Sequence, residues 1–150
     1  ASALMSASVF AQKTAAPSTS NILILGDSLS AEYGLARGTG WVALLEKKLQ
    51  SDQSSWKVVN ASISGETTAG GQTRLAQLLK VHQPKVVVIE LGANDALRGL
   101  QLKTTEKNLQ AMIQASKNVG AKVLVLGMRI PPNYGQEYTT EFFNFSVLIQ

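Results

Sequence analysis

The sequence contains no cysteine and a single histidine. The first absence excludes disulfides, thiolate metal sites and a cysteine nucleophile. The second excludes a histidine-clustered metal centre. It also limits any serine-based chemistry within these residues to one candidate base, His82 in "LLKVHQPK". No apolar run reaches the roughly 18 residues needed to span a bilayer, so no stable membrane insertion is expected. The net charge of +4 comes from Lys and Arg spread along the chain. With no basic run and no aromatic–basic alternation, it reads as solvated surface rather than a nucleic-acid interface. There is no GxxxxGK[ST] phosphate loop, no GxGxxG after a strand and no G-x-S-x-G elbow. Asp27 and Asp95 make too thin a carboxylate pair for a metal site.

What remains is an ordinary globular composition. The chain has 150 residues, 45% hydrophobic and 16% charged, enough for one domain with a real core. Residues 1–20 do not read as fold. "ALMSASVFAQ" is small and apolar, and Val9-Phe10-Ala11 before Gln12 fits a signal-peptidase site. "KTAAPSTSN" follows as a polar linker. The expectation is the tail of a secretory signal, hence a periplasmic or secreted protein, followed by one domain over 21–150.

That domain alternates strand and helix patterns. Ile22–Leu25, "WKVVNAS" (56–62), "KVVVIEL" (85–91) and "KVLVLGM" (122–128) read as four strands, short and apolar enough to be buried on both faces. Between them, residues 40–50 place Trp41, Leu44, Leu45 and Leu49 on one helical face. Residues 68–80 do the same with Leu75, Leu78 and Leu79. Thr105 is expected to cap a helix through Asn118, with Leu109, Met112 and Ile113 inward and Gly120 as its stop. This order predicts an α/β fold with a parallel sheet covered on both faces.

Three strands lead into loops of unusual composition: "GDSLS" (26–30), "ASISGETTAGG" (61–71) and "GANDALRG" (92–99). In open α/β sheets, ligands bind beyond the carboxyl ends of the strands, so these loops are expected to converge. Ser28 is a candidate nucleophile, placed where a helix would begin, with its own N–H facing the site. Gly65 lets the backbone approach a ligand closely. Asn94 brings a side-chain amide. Two backbone N–H groups and one amide N–H suit an oxyanion hole for a tetrahedral intermediate. Each residue also has an ordinary structural reading, as a turn, a helix start or a cap.

With "ILILGDSLSAEYG", "VVNASISGETTAGG", "VVVIELGANDALRG" and "GMRIPPNYG" in view, the sequence resembles the SGNH (GDSL) hydrolases over roughly residues 21–140. Within them it is most similar to the thioesterase, lysophospholipase and arylesterase branch of the periplasm. Ser28, Gly65 and Asn94 fall on the S, G and N of the family's name. The resemblance implies a flavodoxin-like three-layer α/β/α fold with five parallel strands. It implies hydrolysis of acyl or aryl esters or thioesters through an acyl-serine, by a monomer, with no metal or organic cofactor. It makes the Ser28 N–H, the Gly65 N–H and the Asn94 side chain the oxyanion hole. The segment "MRIPPNYG" (128–135) resembles one that contacts substrate.

The family's base lies in a C-terminal Asp-x-x-His motif after a fifth strand. Residues 1–150 contain neither the motif nor that strand, and "NFSVLIQ" departs from the family pattern. The domain is therefore expected to be incomplete at its C-terminal end, without the last strand and helix. His82 precedes strand three, at the opposite end of the sheet from Ser28. A seven-residue strand spans about 20 Å, against a Ser–His hydrogen bond of about 3 Å. His82 is expected to be a surface residue, and the alternative to an active hydrolase is an impaired or purely ligand-binding member of the family. A flavodoxin-like regulatory or nucleotide-binding module would have the fold without the phosphate-loop chemistry.

Overall fold

The computed structural model describes residues 19–129 and 139–140. The signal-like segment up to residue 18, residues 130–135 of "MRIPPNYG" and the C-terminal "NFSVLIQ" lie outside them. Four strands, β1 (Ser20–Gly26), β2 (Trp56–Asn60), β3 (Val86–Glu90) and β4 (Lys122–Val125), form one parallel sheet in the order β2-β1-β3-β4. Among the described residues, helices α1 (Trp41–Ser51), α2 (Thr68–His82), α3 (Ala93–Leu97) and α4 (Leu102–Asn118) make the connections between these strands.

Side-chain alternation along the central strands sorts the layers. Leu23, Leu25, Val87 and Ile89 point to one face and pack with Leu75 and Leu79 of α2 and with Leu109 and Met112 of α4. Ile24 and Val88 point to the other and pack with Val42 of α1. Leu23, Ile24, Leu25, Val87 and Ile89 are all but inaccessible to solvent. Fully burying each such side chain is worth about 1.5–3 kcal/mol. The result is the expected three-layer α/β/α arrangement, with the strand order of flavodoxin-like sheets through four strands. The order reverses direction between β1 and β3, which is where such sheets bind ligands.

Four local expectations are corrected. Leu44 does not face the sheet but is 55% exposed, and Val42 is the buried residue of α1. The helix starts at Trp41 on a Gly40 N-cap. Val42, Leu45 and Leu49, spaced i, i+3, i+7, then share its inner face. Thr105 is not a cap: α4 begins three residues earlier, and Thr105 is buried within it, its hydroxyl donating to Asp95 Oδ1 at 3.2 Å. The short helix α3 occupies a stretch read from sequence as a plain loop. The strands also end earlier than expected, at Asn60, Glu90 and Val125, so more chain is released into the loops beyond them.

Candidate active site

Beyond Gly26 the chain does not enter a helix. It makes one tight turn, in which the Ala31 N–H donates to the Asp27 carbonyl at 2.9 Å and the Tyr33 N–H donates to the Ser28 carbonyl at 3.2 Å. Helix α1 starts only at Trp41. The Asp27 carboxylate shapes the turn from inside, Oδ1 accepting the Leu29 N–H at 3.0 Å. Asp27 and Ser30 are buried, while Ser28 between them is half-buried. The sequence thus presents the serine between two anchored neighbours. Further along, Glu32 accepts the Gly38 N–H at 2.9 Å and the Gly40 N–H at 2.9 Å, which fixes the loop leading to α1. These two donors hold the Glu32 carboxyl below its ordinary range.

One atom ties the three loops together. Asn94 Nδ2 donates to Asp27 Oδ2 at 3.1 Å and to the Glu66 carbonyl at 3.0 Å. Its partners are the neighbours of Ser28 and of Gly65, so the three residues singled out from sequence do meet at the carboxyl ends of β1, β2 and β3. Gly65 has φ +79°, a conformation that side chains disfavour. An added Cβ would meet nothing nearer than Arg98 Nη2 at 3.8 Å. Backbone conformation therefore explains this glycine without any crowding from the protein. Arg98 Nη2 donates to the Gly65 carbonyl at 2.9 Å. Glu66 is clamped by Arg74 at 2.7 Å, and Arg74 also donates to the Ala61 carbonyl at 2.9 Å. Thr67 caps α2 by accepting the Gly70 N–H at 3.3 Å. The Gly65 loop is thus tied down at both ends.

Glu90, the last residue of β3, is a functional candidate that the sequence reading passed over. It is buried on the α1 face directly beneath the Ser28 turn. Its Oε2 accepts the Ser30 hydroxyl at 2.7 Å and, weakly, the Asp27 N–H at 3.4 Å. Its carboxyl is pushed up to about 7, chiefly by burial; the Ser30 hydrogen bond works against the rise and the Asp27 charge adds to it. Burial also raises Asp27, against the pull of the Leu29 N–H and of Glu90. Gly26 belongs to this arrangement, since a Cβ there would lie 2.7 Å from Ser30 Oγ and 2.8 Å from Glu90 Oε2. A charged residue at the end of the apolar run "KVVVIEL" was the available signal. A second buried network, Asp95 with the Thr68 N–H at 2.9 Å, the Thr68 hydroxyl and Thr105, fixes α3 against α2 and α4.

His82 closes α2, and its carbonyl accepts Asn21 Nδ2 at 2.7 Å at the start of β1. It is therefore at the other end of the sheet from Ser28, as expected, although half-buried rather than fully exposed. A cavity of about 740 Å³ lined by Leu79, Lys80, Pro84 and Lys85 lies at that same far end and contains no part of the Ser28 cluster. Among the described residues no group of three metal-ligating side chains occurs, and no helix is long and apolar enough to cross a membrane.

Fold and loops together define a doubly wound α/β protein whose site sits at the carboxyl end of a parallel sheet, around a serine. A model of the GDSL-like lipase/acylhydrolase family matches residues 24–144, and the chain belongs to that family. It is 51% identical over 121 residues to esterase TesA of Pseudomonas aeruginosa, an alignment covering 81% of this chain and 60% of that protein. It is 48% identical over 127 residues to thioesterase 1/protease 1/lysophospholipase L1 of Escherichia coli K12, covering 85% and 60%. A crystal structure of TesA superposes with a TM-score of 0.83 at 48% identity, covering 86% of this chain and 72% of that one. The chain thus spans about 60% of the length of these two curated relatives.

Proposed function

We propose that this chain carries the nucleophile and oxyanion hole of a serine hydrolase that cleaves carboxylic esters or thioesters. Asn94 Nδ2, bonded at once to the neighbours of Ser28 and Gly65, is the observation that carries the reading. In the proposed reaction Ser28 Oγ attacks the acyl carbon and its proton passes to a base. The carbonyl oxygen becomes an oxyanion held by the Ser28 and Gly65 N–H groups and the Asn94 amide, each worth about 3–4 kcal/mol. Collapse breaks the bond to the alcohol or thiol, which leaves with the proton, and water then repeats the sequence on the acyl-serine. The chemistry asks for no metal or organic cofactor.

An apolar acyl or aryl group suits the rim. Leu29 beside Ser28, Ile63 before Gly65 and Leu97 in the helix of Asn94 are 60%, 47% and 45% exposed, one from each loop. The names of the relatives, esterase and thioesterase/lysophospholipase, support the same substrate class. All three loops come from one chain, which supports a monomer, testable by sedimentation. The composition of residues 1–20 supports export to the periplasm or medium, testable by fractionation of cells expressing the complete gene. The only imidazole within residues 1–150 is His82, at the wrong end of the sheet. The reading therefore needs a base from outside this stretch, and it predicts that residues 1–150 alone are a severely impaired hydrolase. Turnover of an activated aryl ester that depends on Ser28 tests the proposal. Equal turnover by Ser28→Ala would sink it.

A further inference from the structure

We propose that Glu90 is a positioning residue for the oxyanion hole: from beneath the site its carboxyl ties Asp27 to Ser30 and so fixes the residue whose carboxyl holds the Asn94 amide. The proposal rests on the hydrolase reading above.

Ser28 lies between the two residues that Glu90 Oε2 engages, the Ser30 hydroxyl at 2.7 Å and the Asp27 N–H at 3.4 Å. The Trp41 indole N–H donates to Ser30 Oγ at 3.1 Å. That bond occupies an acceptor position of the hydroxyl and leaves its hydrogen for Glu90. Asn60 Nδ2 holds the Ser30 carbonyl at 2.8 Å, so the far side of the turn is anchored as well. The direction of the Ser28 N–H thus depends on a buried frame with Glu90 at its centre.

Asn94 poses the sharper problem. Its amide has two hydrogens, and both already point at protein acceptors, Glu66 O at 3.0 Å and Asp27 Oδ2 at 3.1 Å. A substrate oxyanion can receive one of them only if a partner lets go. Glu90 Oε2 accepts the Asp27 N–H at 3.4 Å, so its charge stands beside the residue whose carboxyl holds Asn94. Glu90 Oε1 is buried with no hydrogen-bond partner among the described groups, a setting that favours the protonated acid. The protonated acid keeps both acceptor contacts of Oε2 while placing no charge beside Asp27. Ionised Glu90 adds a second negative charge beside Asp27 and under the developing oxyanion. Asp27 is the titratable group whose charge reaches Glu90; the groups packed around it from the turn and α1 are the neutral Ser30 hydroxyl and, one bond further, the Trp41 indole.

Glutamine can imitate the neutral acid, accepting from the Ser30 hydroxyl and the Asp27 N–H through its carbonyl oxygen, whereas alanine can accept from neither. In the complete gene product turning over an activated aryl ester, E90A is expected to lower kcat about 10- to 100-fold with KM within about twofold, the size of a misplaced catalytic group. E90Q is expected to recover most of that loss and to remove a limb of the pH profile centred near pH 7. An E90A kcat equal to wild type, a loss confined to KM, or equal impairment in E90A and E90Q overturns the proposal. A second readout needs no turnover. In a His82→Gln background, the Asn94 side-chain amide and the Asp27 backbone amide should shift together in NMR with one midpoint near pH 7, and E90Q should abolish it. Absence of the shared midpoint overturns the proposal. If Ser28 transfers no acyl group in the wild type, the hydrolase reading fails instead, whatever the amides show.

Discussion

Replacing Asn94 by alanine removes two hydrogen bonds and, on the proposed mechanism, one oxyanion donor. The Asp27 partner is a buried carboxyl. Losing a hydrogen bond to a charged group costs about 1.5–3 kcal/mol, and losing the neutral bond to the Glu66 carbonyl about 0.5–1.5 kcal/mol. Together they amount to about 2–4 kcal/mol, a large fraction of the 5–15 kcal/mol typical of a domain. With a urea slope of about 1.5 kcal/mol/M, the unfolding midpoint should fall by about 1–3 M. Asn94→Asp should be worse, because it sets a carboxylate where Asp27 Oδ2 lies 3.1 Å away. In the complete gene product the alanine variant should also lose about 100- to 1000-fold in kcat. Urea denaturation followed by tryptophan fluorescence and steady-state ester kinetics read the two effects separately. A midpoint shift below about 0.3 M, or a kinetic change confined to KM, would refute the argument.

Other outcomes follow from the same structure. Glu90 holds its proton to about pH 7 when folded, against 4.5 as its ordinary value, so the folded state binds more protons over that interval. Its contribution should therefore make the protein less stable as pH rises from about 4.5 to 7, by about 3 kcal/mol in total. E90Q should flatten that slope in urea melts taken across the range, and an unchanged slope would contradict the assignment. His82→Ala should leave ester hydrolysis unchanged, because the hydrogen bond made at this position uses the backbone carbonyl; a loss comparable to Ser28→Ala would overturn its placement. Among the described residues β4 pairs only with β3, and Leu124 on it is 52% exposed. An apolar edge of this kind promotes association, so Leu124→Lys should raise the soluble yield of residues 1–150, measured after centrifugation.

The layers of the fold were legible because β1 and β3 are apolar at every core position, while α2 and α4 carry leucine at helical spacing. Periodicity of that kind survives without tertiary information. The edges were less so. The start of α4 and the existence of α3 depend on Asp95, whose carboxylate receives the Thr68 backbone N–H and the Thr105 hydroxyl from other elements. Thr105 looked like a cap because a threonine before an apolar run has that local preference, and burial of its hydroxyl against Asp95 overrode it. In the site, Ser28, Gly65 and Asn94 stood out through their types and their places after strands. Glu90 did not, since a glutamate at a strand end resembles a solvated residue until the Gly26–Ser30 turn folds over it. Gly26 hinted at that crowding, but which side chain causes it is a long-range fact, 64 residues away in sequence.

The account stands or falls on Ser28 as the acyl carrier. The complete gene product, mixed with an activated aryl ester and quenched in acid during turnover, should yield on peptide mapping a single acyl adduct on Ser28. The Ser28→Ala variant should yield none and should not turn the ester over. An adduct on another residue, or turnover that survives in Ser28→Ala, would contradict the account.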